Sequence, residues 1–170
     1  MRLVPAALCL VLLCVQPVAA AGYRADLGPM PLDDETKSVI AGRGEVTATI
    51  TGDQLTVAGA FRGLPSNATA AHLLLSPAIG VPGRPIMDLT VTAGPSGRIS
   101  GTVRLARAQL QALRTGRLYV QVDSEKAPPG YSWGPKGTLW GWLLPEHERV
   151  AQGVPQQGHW FIPQLDTPSR

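Results

Sequence analysis

Between residues 45 and 61 apolar and polar side chains alternate with a period of two. Val46, Ala48 and Ile50 fall on one phase and Thr47, Thr49 and Thr51 on the other, the pattern of a half-buried strand. Residues 54–61 repeat the alternation less cleanly. Gly52-Asp53 between the two runs predicts a hairpin with a glycine-first, type II′ turn. Further strands are predicted at 70–75, at 86–92 with Ile86, Leu89 and Val91 packing, at 98–105, at 118–122 and at 139–144. Residues 23–27 read as an edge strand leading into a loop that holds Asp33, Asp34 and Glu35.

One segment has helical spacing. Leu105, Ala108, Leu110, Ala112 and Leu113 form an apolar stripe over 106–115, with Gly116 placed as the C-terminal stop. Gly and Pro number 19 and 16 and gather in the intervening segments, which argues for many turns and few helices. Seven or so short strands with one short helix predict an all-β fold, an antiparallel, Greek-key-like β-sandwich or a partly open barrel. Val46, Ile50, Leu89, Val103, Leu110 and Val120 are expected to share its core.

The first twenty residues follow a different pattern. Arg2 precedes an almost wholly apolar run from 3 to 15, Pro17 ends it, and small residues occupy 18–21. This predicts a secretory signal peptide over 1–20, cleaved after Ala20 or Ala21. The run is shorter than the roughly 20 residues of a spanning helix, and no later segment is long and apolar enough to span. A lipoprotein signal acylated at Cys14 would need small residues where Leu12 and Leu13 stand. Both cysteines, Cys9 and Cys14, lie in the signal, so a mature chain would have no disulfide, thiolate metal site or cysteine nucleophile. The net charge of +3 comes from scattered residues rather than a basic run, which argues against nucleic acid as a partner.

A particular order of residues then carries a resemblance. The hairpin runs into Phe61-Arg62-Gly63-Leu64, followed by Ala70-Ala71-His72-Leu73-Leu74-Leu75, a Gly-rich loop and Asp88-Leu89. Ser100-Gly101-Thr102 leads into Ala108-Gln109-Leu110-Gln111-Ala112-Leu113, then Gly116-Arg117-Leu118-Tyr119-Val120 and a closing Gly137-Thr138-Leu139-Trp140-Gly141. Over 22–144 this resembles the chordin-type (CHRD) domain family, including its bacterial, exported single-domain members. The resemblance implies a fold and a compartment more than an activity. His72-Leu73-Leu74 stands where members often carry His-x-His, and Gln121-Val122-Asp123-Ser124 stands where they often carry Asn-x-His-Thr. Trp140 takes the place of a common arginine. A metal or polar site resting on those histidines would be largely lost here.

The remaining chemistry is sparse. His72, His147 and His159 are the three histidines, and Asp123 falls roughly where a family histidine would. His72 with Asp123 is therefore the candidate for a copper-type metal site, weighed against a half-buried strand histidine bonded to backbone. For a hydrolase, the candidate carboxylates are Asp33, Asp34, Glu35, Asp88 and Asp123, and their spacing selects no pair. Ser66 and Ser132 lie in loops outside any G-x-S-x-G elbow. All four tryptophans, Trp133, Trp140, Trp142 and Trp160, lie in the C-terminal part. Trp140 and Trp142 share a strand face, either as core or as an aromatic platform. In the Pro/Gly loop over 127–136, Tyr131 and Trp133 have no strand phase to fill and are the expected partner-binding residues.

The expected organisation is a signal at 1–20, a CHRD-like domain at 22–144 and a partly irregular extension at 145–170. The expected function is an exported, non-enzymatic binding or structural module, periplasmic or secreted. It would have no catalytic residue, cofactor or metal, and its partner would be another exported protein or a glycan. Metal binding through His72 and Asp123, or an uncharacterised hydrolase, stands as the alternative.

Overall fold

The computed structural model describes residues 20–30, 36, 38–126 and 137–146. The strands are β1 (Ala21–Pro29), β2 (Arg43–Thr51), β3 (Gln54–Arg62), β4 (Ala68–Leu75), β5 (Arg84–Val91), β6 (Gly97–Arg104), β7 (Leu118–Ser124), β8 (Leu139–Trp142) and β9 (Leu144–Pro145). The helix α1 (Arg107–Arg114) lies between β6 and β7. All pairings are antiparallel. The order β2-β3-β6-β5-β4-β7-β8-β1 closes because β1 also pairs with β2, and β9 adds to β1 from outside the ring. The result is a closed barrel of eight strands with one extra strand. Within it, β4, β5 and β6 follow one another as neighbours while β3 lies beside β6, which is a Greek key.

The predicted hairpin is β2–β3, in register from Arg43↔Arg62 to Thr51↔Gln54. Gly52 has φ +64, the left-handed value a primed turn requires at its first position. Val46 and Ala48 are buried and Ile50 half-buried, and the threonines between them face outward.

Two strands turn the barrel's corners. From Ala21 to Leu27, β1 pairs with β2, and at Gly28 and Pro29 it crosses to β8. Similarly, β5 pairs with β4 through Leu89 and with β6 at Thr90 and Val91. The edge strand expected at 23–27 is therefore a seam inside the barrel. Its Tyr23, Ala25 and Leu27 do face inward, but local alternation carries no record of how many neighbours a strand has. The seam is tight, since a Cβ on Gly141 would lie 2.5 Å from the Asp26 carbonyl oxygen.

At the start of α1 the Gln109 side chain accepts the Ala106 N–H at 2.7 Å. At its end the Gly116 N–H donates to Leu113 O and the Arg117 N–H to Ala112 O, with Gly116 at φ +65, a Schellman cap. Leu105, Ala112 and Leu113 are buried and Leu110 half-buried. Ala108 departs from the expected stripe and is exposed, because the helix turns only a narrow face to the barrel end.

The interior is one cluster. Val46, Leu89 and Val120 are buried in it, and Ile50, Val103 and Leu110 pack against it half-buried, so the six expected core residues do belong together. A second cluster forms on the outer surface of the β4–β7–β8 wall from Met30, Leu74, Tyr119, Trp140 and Trp142.

Candidate functional site

Cross-strand register sets out a row of side chains on the outside of the β4–β7–β8 wall. His72 on β4 faces Asp88 on β5 and Gln121 on β7, and Gln121 faces Trp140 on β8. Asp123 lies two residues beyond Gln121 and so on the same surface. His72 Nδ1 is 2.8 Å from Asp88 Oδ1, and its Nε2 is 3.5 Å from Asp123 Oδ2. Gln121 Nε2 donates to Asp123 Oδ1 at 2.8 Å, which orients that carboxylate. The imidazole thus sits between two carboxylates, one almost fully exposed (Asp88, 87%) and one largely buried (Asp123, 15%). A neutral ring donates from one nitrogen only, so both carboxylates are served together only by the imidazolium.

His72 and Asp123, paired for chemistry in the sequence, are thus in contact. The half-buried strand histidine is present too, but its partners are carboxylates rather than a backbone carbonyl. The two nitrogens point to opposite edges of the ring, so one ion at Nε2 could take Asp123 but not Asp88. That leaves two ligands where a tetrahedral site uses four. Among the described residues no group of three His, Cys, Asp or Glu could hold a metal. As acid–base machinery, the His–Asp contact has no serine or threonine hydroxyl bonded to the ring among the described residues. Sequence reasoning did not join Asp88 to His72. The signal available was that both lie in strands of one hairpin, but a register shift between Leu73 and Leu74 obscures the pairing.

One row further along the same wall, Leu74, Tyr119 and Trp142 stand opposite one another. Tyr119 stacks on Trp142 with ring centroids 4.9 Å apart, and Trp140 meets both rings edge-on at 6.2 and 4.7 Å. Trp140 and Trp142 share a face as expected, and both are buried, so they are core rather than platform. The Tyr119 hydroxyl accepts the Gly83 N–H at 3.0 Å, fastening the loop between β4 and β5. Burial raises the phenol above its ordinary pKa; the bond from Gly83 opposes this and the charge of Asp123 adds to it.

Tyr131 and Trp133 lie outside the described residues, as do residues 1–19 of the predicted signal, Asp33, Asp34, Glu35, Ser132, His147, His159 and Trp160. Among the described residues no helix is long and apolar enough to cross a membrane.

The geometry defines a class, a closed antiparallel β-barrel module with a filled interior and a small polar constellation on its convex surface. The chain matches the CHRD domain family over residues 28–131, more than half its length, and belongs to that family. No curated protein and no solved structure matches it.

Proposed function

We propose that the chain is an exported, non-enzymatic CHRD module with a binding or structural role in the periplasm or outside the cell. The observation that carries this reading is the filled barrel. Aliphatic side chains from every wall occupy the interior, and the polar groups around His72 serve one another on a convex surface. Among the described residues the barrel interior is packed core rather than a concave, water-excluding pocket of the kind that usually seats small-molecule chemistry. Contact with a partner then falls to the loops. In this reading the 128–133 loop carries it, with Tyr131 and Trp133 as anchors and Pro128 and Pro129 stiffening the backbone. The partner is another exported protein or a glycan.

The test has two parts. Intact mass of the chain recovered from the extracytoplasmic fraction should correspond to cleavage after Ala20 or Ala21. A product retaining Cys14, with or without lipid, would overturn export by this signal. Trp133→Ala should leave stability within about 0.5 kcal/mol, as exposed sites do, and weaken capture of a partner from that fraction. A stability loss of about 3–5 kcal/mol, as for a core aromatic, with capture unchanged would reject the loop as the binding element.

A further inference from the structure

On the wall opposite the His72 site, β2, β3 and β6 carry a group of arginines. Arg43 and Arg62 are direct cross-strand partners, and both are exposed. Arg98 on β6 is opposite Ala60, the outward residue two before Arg62. All three side chains lie on the outward phase of their strands, diagonal neighbours being about 7–8 Å apart on such a surface. Among the described residues none of the three guanidinium groups makes an ion pair or hydrogen bond. The Glu45 carboxylate on this surface is already paired with Arg24, which also approaches Asp26 at 3.7 Å. Arg43 and Arg62 line a depression of about 370 Å³ together with Gly44, Glu45, Ala60 and Phe61.

Like charges directly opposite on paired strands destabilise a sheet. A barrel that keeps Arg43 against Arg62, with the Glu45 carboxylate beside them engaged by Arg24, has broken a local rule without gain in the free protein, which is where a functional site is expected. A bound anion removes the repulsion. Guanidinium groups present planar forks of N–H donors that match an oxyanion bidentately, and two such forks facing across a depression can hold one tetrahedral anion from both sides.

We infer that Arg43, Arg62 and Arg98 form an oxyanion-binding site on the outer β2–β3–β6 wall, taking a phosphate group. This inference does not rest on the reading of the 128–133 loop as the partner-binding element.

The test is titration of the purified full chain with inorganic phosphate at constant ionic strength, chloride replacing phosphate in the control, followed by the arginine Nε–H resonances and by thermal unfolding. Phosphate should shift the resonances of Arg43, Arg62 and Arg98 and raise the unfolding midpoint above the chloride control. Arg62→Gln and Arg43→Gln should each weaken phosphate binding by about tenfold or more, the loss of one charge-assisted contact pair. In the absence of phosphate they should unfold no more readily than the unmodified chain. Arg114→Gln, on the helix, should leave binding unchanged. A phosphate response no larger than that of chloride would overturn the site. So would a response that survives in Arg62→Gln, and the resonance shifts of the unmodified chain decide the matter should a variant fail to fold. Flotation with phosphatidylglycerol vesicles against phosphatidylcholine vesicles identifies the source. Binding to the anionic vesicles that Arg62→Gln abolishes assigns the phosphate to a lipid headgroup, and phosphate binding without flotation assigns it to a soluble molecule.

Discussion

The two walls of the barrel obey different rules. Along β2, β3 and β6 burial alternates residue by residue, with Leu55, Val57 and Ile99 inward and threonines, serine or arginines outward. Along β7 and β8 nearly every residue is buried, on both faces, from Leu118 to Ser124 and from Leu139 to Trp142. The first wall is an ordinary half-solvated antiparallel sheet. The second is an interior layer, with aliphatic core on one side and the Tyr119–Trp140–Trp142 stack on the other. The difference shows where a small barrel places stability and where it leaves surface free for contacts. A wall packed on both sides tolerates little change, whereas the outer face of a half-solvated wall can carry charges placed for a ligand.

Several substitutions sharpen that contrast. Trp142 is fully buried in the outer cluster, so Trp142→Ala should destabilise by about 3–5 kcal/mol in denaturant unfolding. A loss below about 0.5 kcal/mol would make the outer stack a surface feature. Leu110 packs half-buried at the barrel end, and Leu110→Ala should therefore fall below the core range, at about 1–2 kcal/mol. A cost above about 3 kcal/mol would mean the helix is more deeply seated than its exposure indicates. The smallest effect is pH-dependent. Tyr119 has its phenol held above the ordinary 10.0, chiefly by burial. Folding thus favours the neutral form. The contribution is complete below about pH 10 and is lost as pH rises through the higher folded value. Ultraviolet titration should show a late-ionising tyrosine that Tyr119→Phe removes. A titration unchanged by that substitution would contradict the burial of the ring.

The same contrast explains what could be read in the sequence. The β2–β3 hairpin was legible because one face meets water and the turn requires a glycine at Gly52. The helix end was legible because Gly116 supplies the one conformation its cap needs. The doubly buried strands gave continuous apolar runs, from which a strand follows but not what covers its second face. The role of β1 as a seam was invisible, since closure depends on pairings between residues such as Ala21 and Ile50, and Gly28 and Trp140. His72 and Asp123 were singled out through family positions. The third member, Asp88, needed the register of β4 against β5, which the shift at Leu73 and Leu74 breaks. The facing arginines likewise needed register rather than composition, because a scattered charge count hides two residues brought opposite by a hairpin.

Native-state amide hydrogen exchange tests the two-wall account most directly. Exchange through local opening reports how well each strand is held, and the best-buried strands open only with global unfolding. Val120 and Val122 on β7 should be among the slowest amides and should exchange at the global unfolding free energy. Thr47 and Ala58 on the half-solvated wall should exchange through smaller openings and so faster. If β7 exchanges as fast as β2 and β3, or faster, the second wall is not a doubly packed layer and the account fails.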